Sequence, residues 1–259
     1  MNRVKKIIGK IPGVKRAYGH IHPAIYESRR KFSKECDGNL SYKNYVENSF
    51  WEQKYFAEAE GGGKLDNSHY EYFFTTHFDL AKEYYTGKRI LDIGCGPRGS
   101  LEWADNASAR IGIDPIADSY MKFGIDDLNM IYVHSGAESI PFPDSYFDVI
   151  SSFNSLDHVD DLDKVVMQIK KKLKPSGMFL LLTDVNHKPT PTEPQVLTWD
   201  IISLFSPEFS LIKKKHYEKP DGDGLYQSIK LNEEYDHDNS KERYGILSAC
   251  FQKITNSKE

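Results

Sequence analysis

Only three cysteines, Cys36, Cys95 and Cys250, are scattered over 259 residues, too few and too far apart for a disulfide framework or a zinc site. No uninterrupted apolar run approaches the roughly 20 residues that a membrane-spanning helix needs. Near the basic N-terminus, Ile7-Ile8 is too short for the apolar centre of a secretory signal. An excess of one charge is also missing: a formal net charge of -4 gives no reason to expect nucleic acid as a partner. These absences leave a reducing cytoplasm as the expected setting. What is present, 39% hydrophobic and 28% charged residues, suits a globular protein with one substantial core and a wet surface.

The first 34 residues differ in character from the rest. Arg3, Lys5, Lys6, Lys10, Lys15, Arg16, Arg29, Arg30, Lys31 and Lys34 face only Glu27 and Glu35, with Ile7, Ile8, Ile11 and Val14 between them. Pro12-Gly13 and Pro23 interrupt any long helix. Two readings stand: a basic arm resting on an anionic membrane surface, so that residues 1–34 make a peripheral contact, or a solvated tail. Residues 42–60, rich in Tyr, Phe and Glu around Trp51, read as a helix ending at Gly61-Gly62-Gly63, which reads as a hinge. Ser68–Tyr85 carries apolar residues at helical spacing, with Gly87 as its stop. The expected division is therefore a basic arm and helical extension over residues 1–67 and a second domain over 68–259.

From there the rhythm changes. Short apolar runs at Arg89–Ile93, Arg110–Ile113, Met130–Val133, Phe147–Phe153 and Met178–Thr183 alternate with helical stretches near Ser100–Asp105, Ala117–Phe123 and Leu162–Leu173. Such alternation predicts a parallel sheet covered on both faces. A helix near Pro194–Phe205 and strands at Phe209–Tyr217 and Tyr244–Lys253 follow, with polar Lys219–Arg243 between them expected as a long loop.

The informative segment is Ile90-Leu91-Asp92-Ile93-Gly94-Cys95-Gly96-Pro97-Arg98-Gly99. A strand enters a tight turn lacking side chains at three positions, so a ligand can reach the backbone directly. G-x-G-x-x-G alone also occurs where a loop donates N–H groups to a pyrophosphate. Asp92 tips the choice: a carboxylate aimed at the loop repels a pyrophosphate but suits a ligand bearing an ammonium and a sulfonium. Asp114, ending the next strand in Gly112-Ile113-Asp114-Pro115, can accept from both hydroxyls of a ribose.

With Ala137-Glu138-Ser139-Ile140-Pro141-Phe142-Pro143-Asp144-Ser145-Tyr146-Phe147-Asp148 and Leu173-Lys174-Pro175-Ser176-Gly177 following in order, residues 88–185 resemble the class I S-adenosylmethionine-dependent methyltransferases, in particular the group with D-x-G-C-G-P and A-E-x-x-P-F-P-D motifs. The resemblance implies a doubly wound, Rossmann-like α/β fold. Its sheet would have seven strands, mostly parallel, with one antiparallel strand near the C-terminus, and a helical N-terminal extension would precede it. It implies S-adenosyl-L-methionine as cofactor, with Asp92, Gly94, Cys95 and Gly96 beside its methionine part and Asp114 and Pro115 at its ribose. Ile116 would pack on the adenine, Gly136, Ala137 and Glu138 would read its edge, and Phe153 and Asn154 would close over the sulfur. Two positions depart from the family pattern. Gly136 stands where an Asp often accepts from the adenine amino group, and Arg98 occupies a position that is often small, so it would face solvent or meet the cofactor's carboxylate.

Ligands of such sheets lie beyond the carboxyl ends of the strands. This places Asn154, Leu156, Asp157 and His158 after the fourth strand, and Thr183, Asp184 and His187 after the fifth, at the acceptor rim. His158 is the expected general base, since histidine titrates near neutral pH; the competing reading is a helix-start cap. No histidine has metal-ligand spacing to a partner, so no metal is expected. The expected activity is methyl transfer to a small molecule or glycan, with an oxygen acceptor first. The alternatives are N- or C-methylation of a metabolite or quinone, a dinucleotide oxidoreductase, and a noncatalytic cofactor-binding subunit.

Overall fold

The computed structural model describes residues 41–59 and 65–255. The basic arm over residues 1–34 and the triple glycine at 61–63 lie outside the described residues. The chain divides into two compact units at Tyr45/Val46, and the second, Val46–Glu259, carries the sheet.

Seven strands form one sheet in the order β3-β2-β1-β4-β5-β7-β6. They are β1 (Arg89–Ile93), β2 (Ala109–Asp114), β3 (Ile131–His134), β4 (Phe147–Phe153), β5 (Leu173–Val185), β6 (Phe209–Glu218) and β7 (Gly245–Lys253). The first five run parallel, and β7 lies antiparallel between β5 and β6. The α/β fold expected from the motifs is therefore the observed one, including its single reversed strand. The central strands read as near-continuous apolar runs because both of their faces are covered.

Alternation along each strand splits the core in two. Leu91, Ile93, Phe179 and Leu181 point to the face packed by Val165 and Ile169 of helix α3 (Leu162–Lys172) and by Phe205. Ile90, Val149, Leu180 and Leu182 point to the other face, where Phe73 and Phe74 of helix α2 (Tyr70–Phe74) meet Tyr85 and Phe153. Helix α1 (Tyr42–Ala59) precedes these, and α4 (Leu225–Leu231) joins the second face through Leu225 and Ile229. Among the described residues no helix is long and apolar enough to cross a membrane.

Several elements differ from the periodicity reading. Ser68–Tyr85 is not one helix: α2 stops at Thr75, whose hydroxyl bonds back to the Glu71 carbonyl at 2.5 Å, and Asp79 is left-handed with φ 58°. Tight turns at Thr76–Phe78 and Lys82–Tyr85 follow. Phe73, Phe74, Phe78 and Tyr85 all belong to the same sheet face, and the breaks let them do so. Ser100–Asp105 forms turns only, Ala117–Phe123 is a 3-10 turn, and Pro194–Phe205 is helical only as a 3-10 turn over Trp199–Phe205. The expected loop Lys219–Arg243 contains α4, whose buried Leu225 and Ile229 sit one turn apart.

Candidate functional site

Sheet register builds the centre of the site. Asp92 sits beside Gly112 on β2 and beside Ser151 on β4. It is 4% exposed, and its carboxylate accepts from Ser151 Oγ at 2.6 Å and Ser100 Oγ at 2.5 Å. Burial nevertheless pushes it up to about 6, the two hydroxyls pulling the other way. At the tip of β2, Asp114 accepts from the Gly96 amide at 3.3 Å and the Ile116 amide at 3.0 Å. Burial pushes it up to about 6 as well, against those bonds and one from Tyr120. Among the described residues neither carboxylate has a Lys or Arg at ion-pair distance. Two desolvated anions thus flank one turn, and a cationic or hydroxyl-bearing ligand would relieve both.

The turn itself is bare where it has to be. Gly94 (φ 67°) and Gly96 (φ 55°) are left-handed, a conformation that side chains disfavour. Ser155 presses on the open side of Gly94, and a Cβ on Gly96 would meet Trp51 Cζ2 at 2.7 Å. The Cys95 side chain turns away from the ligand side and packs under Gly112, so only its backbone borders the turn.

Other expected ligand residues are placed differently from one another. Pro115 is exposed, whereas Ile116 is 2% exposed in a small cluster with Ala117, Tyr120 and Ile125, with Trp51 packed against it. Gly136 and Ala137 lie just past β3, and Glu138 is occupied: its Oε1 accepts from the Asp160 amide at 2.8 Å and the Asp161 amide at 3.3 Å. Phe153 packs on Phe74 with ring centroids 4.6 Å apart and belongs to the core. Asn154 (φ 55°) is exposed, its amide bonded to the Leu182 carbonyl at 2.7 Å.

Arg98 takes neither expected role. Its guanidinium forks onto Glu58 at 2.9 and 2.5 Å and also bonds the Asp66 carbonyl at 2.9 Å. Together with Lys122, which holds Asn48 at 2.8 Å and Glu52 at 2.6 Å, it ties α1 beside the glycine turn. Nothing in the chain order marked Glu47 or Glu58 as site residues, because their partners are brought together only by the fold.

His158 also differs from a free base. Its Nδ1 lies 2.9 Å from Glu47 Oε1, and Asp157 and Glu193 flank its Nε2, each at 3.8 Å. Burial alone would lower it, but the bond to Glu47 and the three surrounding carboxylates push it up to about 9. The imidazole is therefore largely protonated at neutral pH, and the titration argument for a base does not hold in this geometry. His187, 4% exposed, faces Asp157 Oδ2 from Nε2 at 3.6 Å. His134 bonds Asp118 at 2.5 Å on the surface.

Residues 91–181 match the family model described as a methyltransferase domain. The chain is 36% identical over 111 residues to the ubiquinone/menaquinone biosynthesis C-methyltransferase UbiE of Vibrio vulnificus (strain YJ016), and 37% identical over 109 residues to that of Serratia proteamaculans (strain 568). These matches cover 37% of this chain and 41% and 42% of those relatives, so the chain spans well under half the length of either. Among solved structures, geranyl diphosphate C-methyltransferase from Streptomyces coelicolor A3(2), in complex with Mg2+, geranyl diphosphate and S-adenosyl-L-homocysteine, is 14% identical with a TM-score of 0.51, covering 72% of this chain and 79% of that one. The YcgJ protein from Bacillus subtilis is 20% identical with a TM-score of 0.50, covering 70% and 100%. Both show a shared fold.

Proposed function

We propose, on the premise that this chain is a class I S-adenosylmethionine-dependent methyltransferase, that it methylates a small-molecule acceptor held beyond the carboxyl ends of β4 and β5. One observation carries the reading. Asp92 and Asp114 are buried carboxylates at adjacent strand tips, both pushed up to about 6 by burial, on either side of a turn without side chains. Ligands carrying positive charge and ribose hydroxyls offset that desolvation, whereas a pyrophosphate would add to it.

S-adenosylmethionine supplies a methyl group on a sulfonium, which is an excellent leaving group. The chain's own residues have the remaining tasks. Asp114 would accept from the ribose hydroxyls, and Gly94 and Gly96 would let the ligand approach the backbone. Asp92, anchored by Ser100 and Ser151, would keep negative charge beside the ligand's cationic end. Gly136 and Ala137 would border the adenine, with Glu138 spent on the start of α3. Asn154 would flank the transfer point, and Phe153 would support it from the core. Aligning nucleophile, carbon and sulfur while excluding water is the protein's main contribution to such a displacement.

The similarity to ubiquinone/menaquinone biosynthesis C-methyltransferases favours carbon methylation of a quinone-type ring over methylation of a glycan oxygen. A ring carbon activated by its own hydroxyl needs less help from a protein base, in keeping with a His158 that is already charged. The test is production of S-adenosylhomocysteine by the purified chain with a panel of quinols, phenols and sugars. Turnover with a quinol and none with sugars is expected; turnover with sugars alone would overturn the acceptor class, and preferential binding of a dinucleotide would overturn the cofactor.

A further inference from the structure

Beyond the carboxyl ends of β4 and β5, the fold brings Glu193 to the neighbouring Asp157 and His158. We propose that Asp157, His158 and Glu193 form a binding site for one divalent transition-metal ion, Zn2+ being the expected occupant. This proposal is independent of methyl transfer.

The hydrogen-bond pattern carries it. His158 Nδ1 lies 2.9 Å from Glu47 Oε1, and His187 Nδ1 lies 3.0 Å from the carbonyl of Lys188. Both partners are acceptors, so each Nδ1 carries the proton that it donates. The second proton of the charged His158 ring is then on Nε2, and a metal ion binding there would displace it. A histidine whose far nitrogen is held by a carboxylate or a backbone carbonyl is oriented as metal-ligating histidines are. Both Nε2 atoms and Asp157 Oδ1 are buried without a hydrogen-bond partner among the described residues. Asp157 is 1% exposed, so its unmet oxygen is costly unless a positive charge, the proton on His158 Nε2 or a metal ion in its place, lies beside it.

The spacings fit a cation and not direct bonds. His158 Nε2 is 3.8 Å from both Asp157 Oδ1 and Glu193 Oε1, and His187 Nε2 is 3.6 Å from Asp157 Oδ2. Ligand atoms of Asp157, His158 and Glu193 all lie within 4.8 Å of one another. Metal–ligand bonds of about 2.0–2.2 Å place neighbouring tetrahedral ligands roughly 3.4 Å apart, a few tenths of an ångström below the two separations made by His158 Nε2. Imidazole with carboxylate suits Zn2+, or Mn2+ next, whereas Ca2+ and Mg2+ favour oxygen alone. Bound there, the ion would pin the loop after β4 to the loop after β5. Glu193, after β5, is brought to Asp157 and His158, after β4, by the parallel pairing of β4 with β5.

The test uses the untagged full chain, stripped with a chelator and dialysed, then titrated with Zn2+ and separately with Mn2+ by calorimetry, with elemental analysis of the dialysed complex. One equivalent of Zn2+ and a raised Tm are expected. Glu193→Gln, in a partly exposed loop, should weaken binding at least about tenfold, and Asp157→Asn with His158→Gln at least about a hundredfold. Circular dichroism checks that each variant folds; should the double variant fail to fold, Glu193→Gln decides. His237→Gln addresses the separate His216–His237 pair, 2.7 Å apart, and should leave binding unchanged. No saturable binding of either ion, unchanged affinity in Glu193→Gln, or loss of the bound equivalent in His237→Gln would each overturn the proposal.

Discussion

The indole of Trp51 rests on Gly96: a Cβ on that glycine would come within 2.7 Å of Cζ2 and 3.2 Å of Cη2. The side of the turn open to a ligand is thus bordered by α1, which Arg98 and Lys122 tie in place. Anything that settles on the turn has to be felt by this ring. Titration with S-adenosylhomocysteine should therefore change the intrinsic fluorescence, and Trp51→Phe should abolish the change although Trp103 and Trp199 remain. An equal signal in the variant would place the ligand elsewhere.

Gly96→Ala should be the more damaging change. It adds a methyl against Trp51 and forces an L side chain to φ 55°, costing about 1–2 kcal/mol in backbone conformation alone. Loss of S-adenosylhomocysteine binding by at least about tenfold, read by calorimetry, is expected. Gly87→Ala is the control: it has left-handed φ 71° but nothing within 4 Å of its Cβ, so it should cost stability and spare the affinity.

Asp114→Ala should weaken S-adenosylhomocysteine by about 1–3 kcal/mol, the usual consequence of leaving polar groups without their partner. The Gly96 and Ile116 amides lose their acceptor in the same variant. Unchanged affinity would remove the ribose assignment.

The pH dependence has a definite sign. Asp92 and Asp114 are raised from 3.8 to about 6 in the fold. Between about pH 4 and 6 the folded chain holds protons that an unfolded chain has released, so these two groups make the ligand-free fold less stable as pH rises through that window. A ligand that needs the charged carboxylates behaves oppositely. S-adenosylhomocysteine affinity should be full above about pH 6 and fall as pH drops below it, the neighbours of the two groups being Ser100, Ser151, Tyr120 and Glu47. Asp114→Asn should flatten the profile; an affinity independent of pH across that window and up to neutrality would contradict the charged-carboxylate reading.

Phe153 separates a packing role from a ligand role. It is 6% exposed and lies between Phe74 and Phe78, so Phe153→Ala should cost about 3–5 kcal/mol of stability by denaturant unfolding. Phe153→Leu should keep S-adenosylhomocysteine affinity within about threefold, since the ring contributes core volume and not a contact that only an aromatic can make. A large affinity loss in a stable Phe153→Leu protein would restore the ring to the sulfur.

What could be read from the chain order is what depends on local conformation and on alternation. The strands were legible because buried parallel strands are short apolar runs between turn residues, and Asp92 and Asp114 because they stand at fixed offsets from Gly94 and from the end of β2. The breaks in Ser68–Tyr85 and the helix at Leu225–Leu231 were not legible. There, packing against one sheet face outweighs the helical spacing of Tyr72, Phe73 and Leu80, and gives the polar stretch a buried stripe. The partners of Arg98, Glu138 and His158 were out of reach as well.

By itself the sequence determined the sheet, the bare turn and the two acids beside it, since each needs only residue type and near neighbours along the chain. Tertiary structure alone decided that Trp51 covers Gly96, that Glu47 charges His158, and that Glu193 converges on Asp157 and His158. The reason is physical: proton affinity and ligand geometry follow from charges and lone pairs a few ångströms apart in space, and separation along the chain does not set that distance.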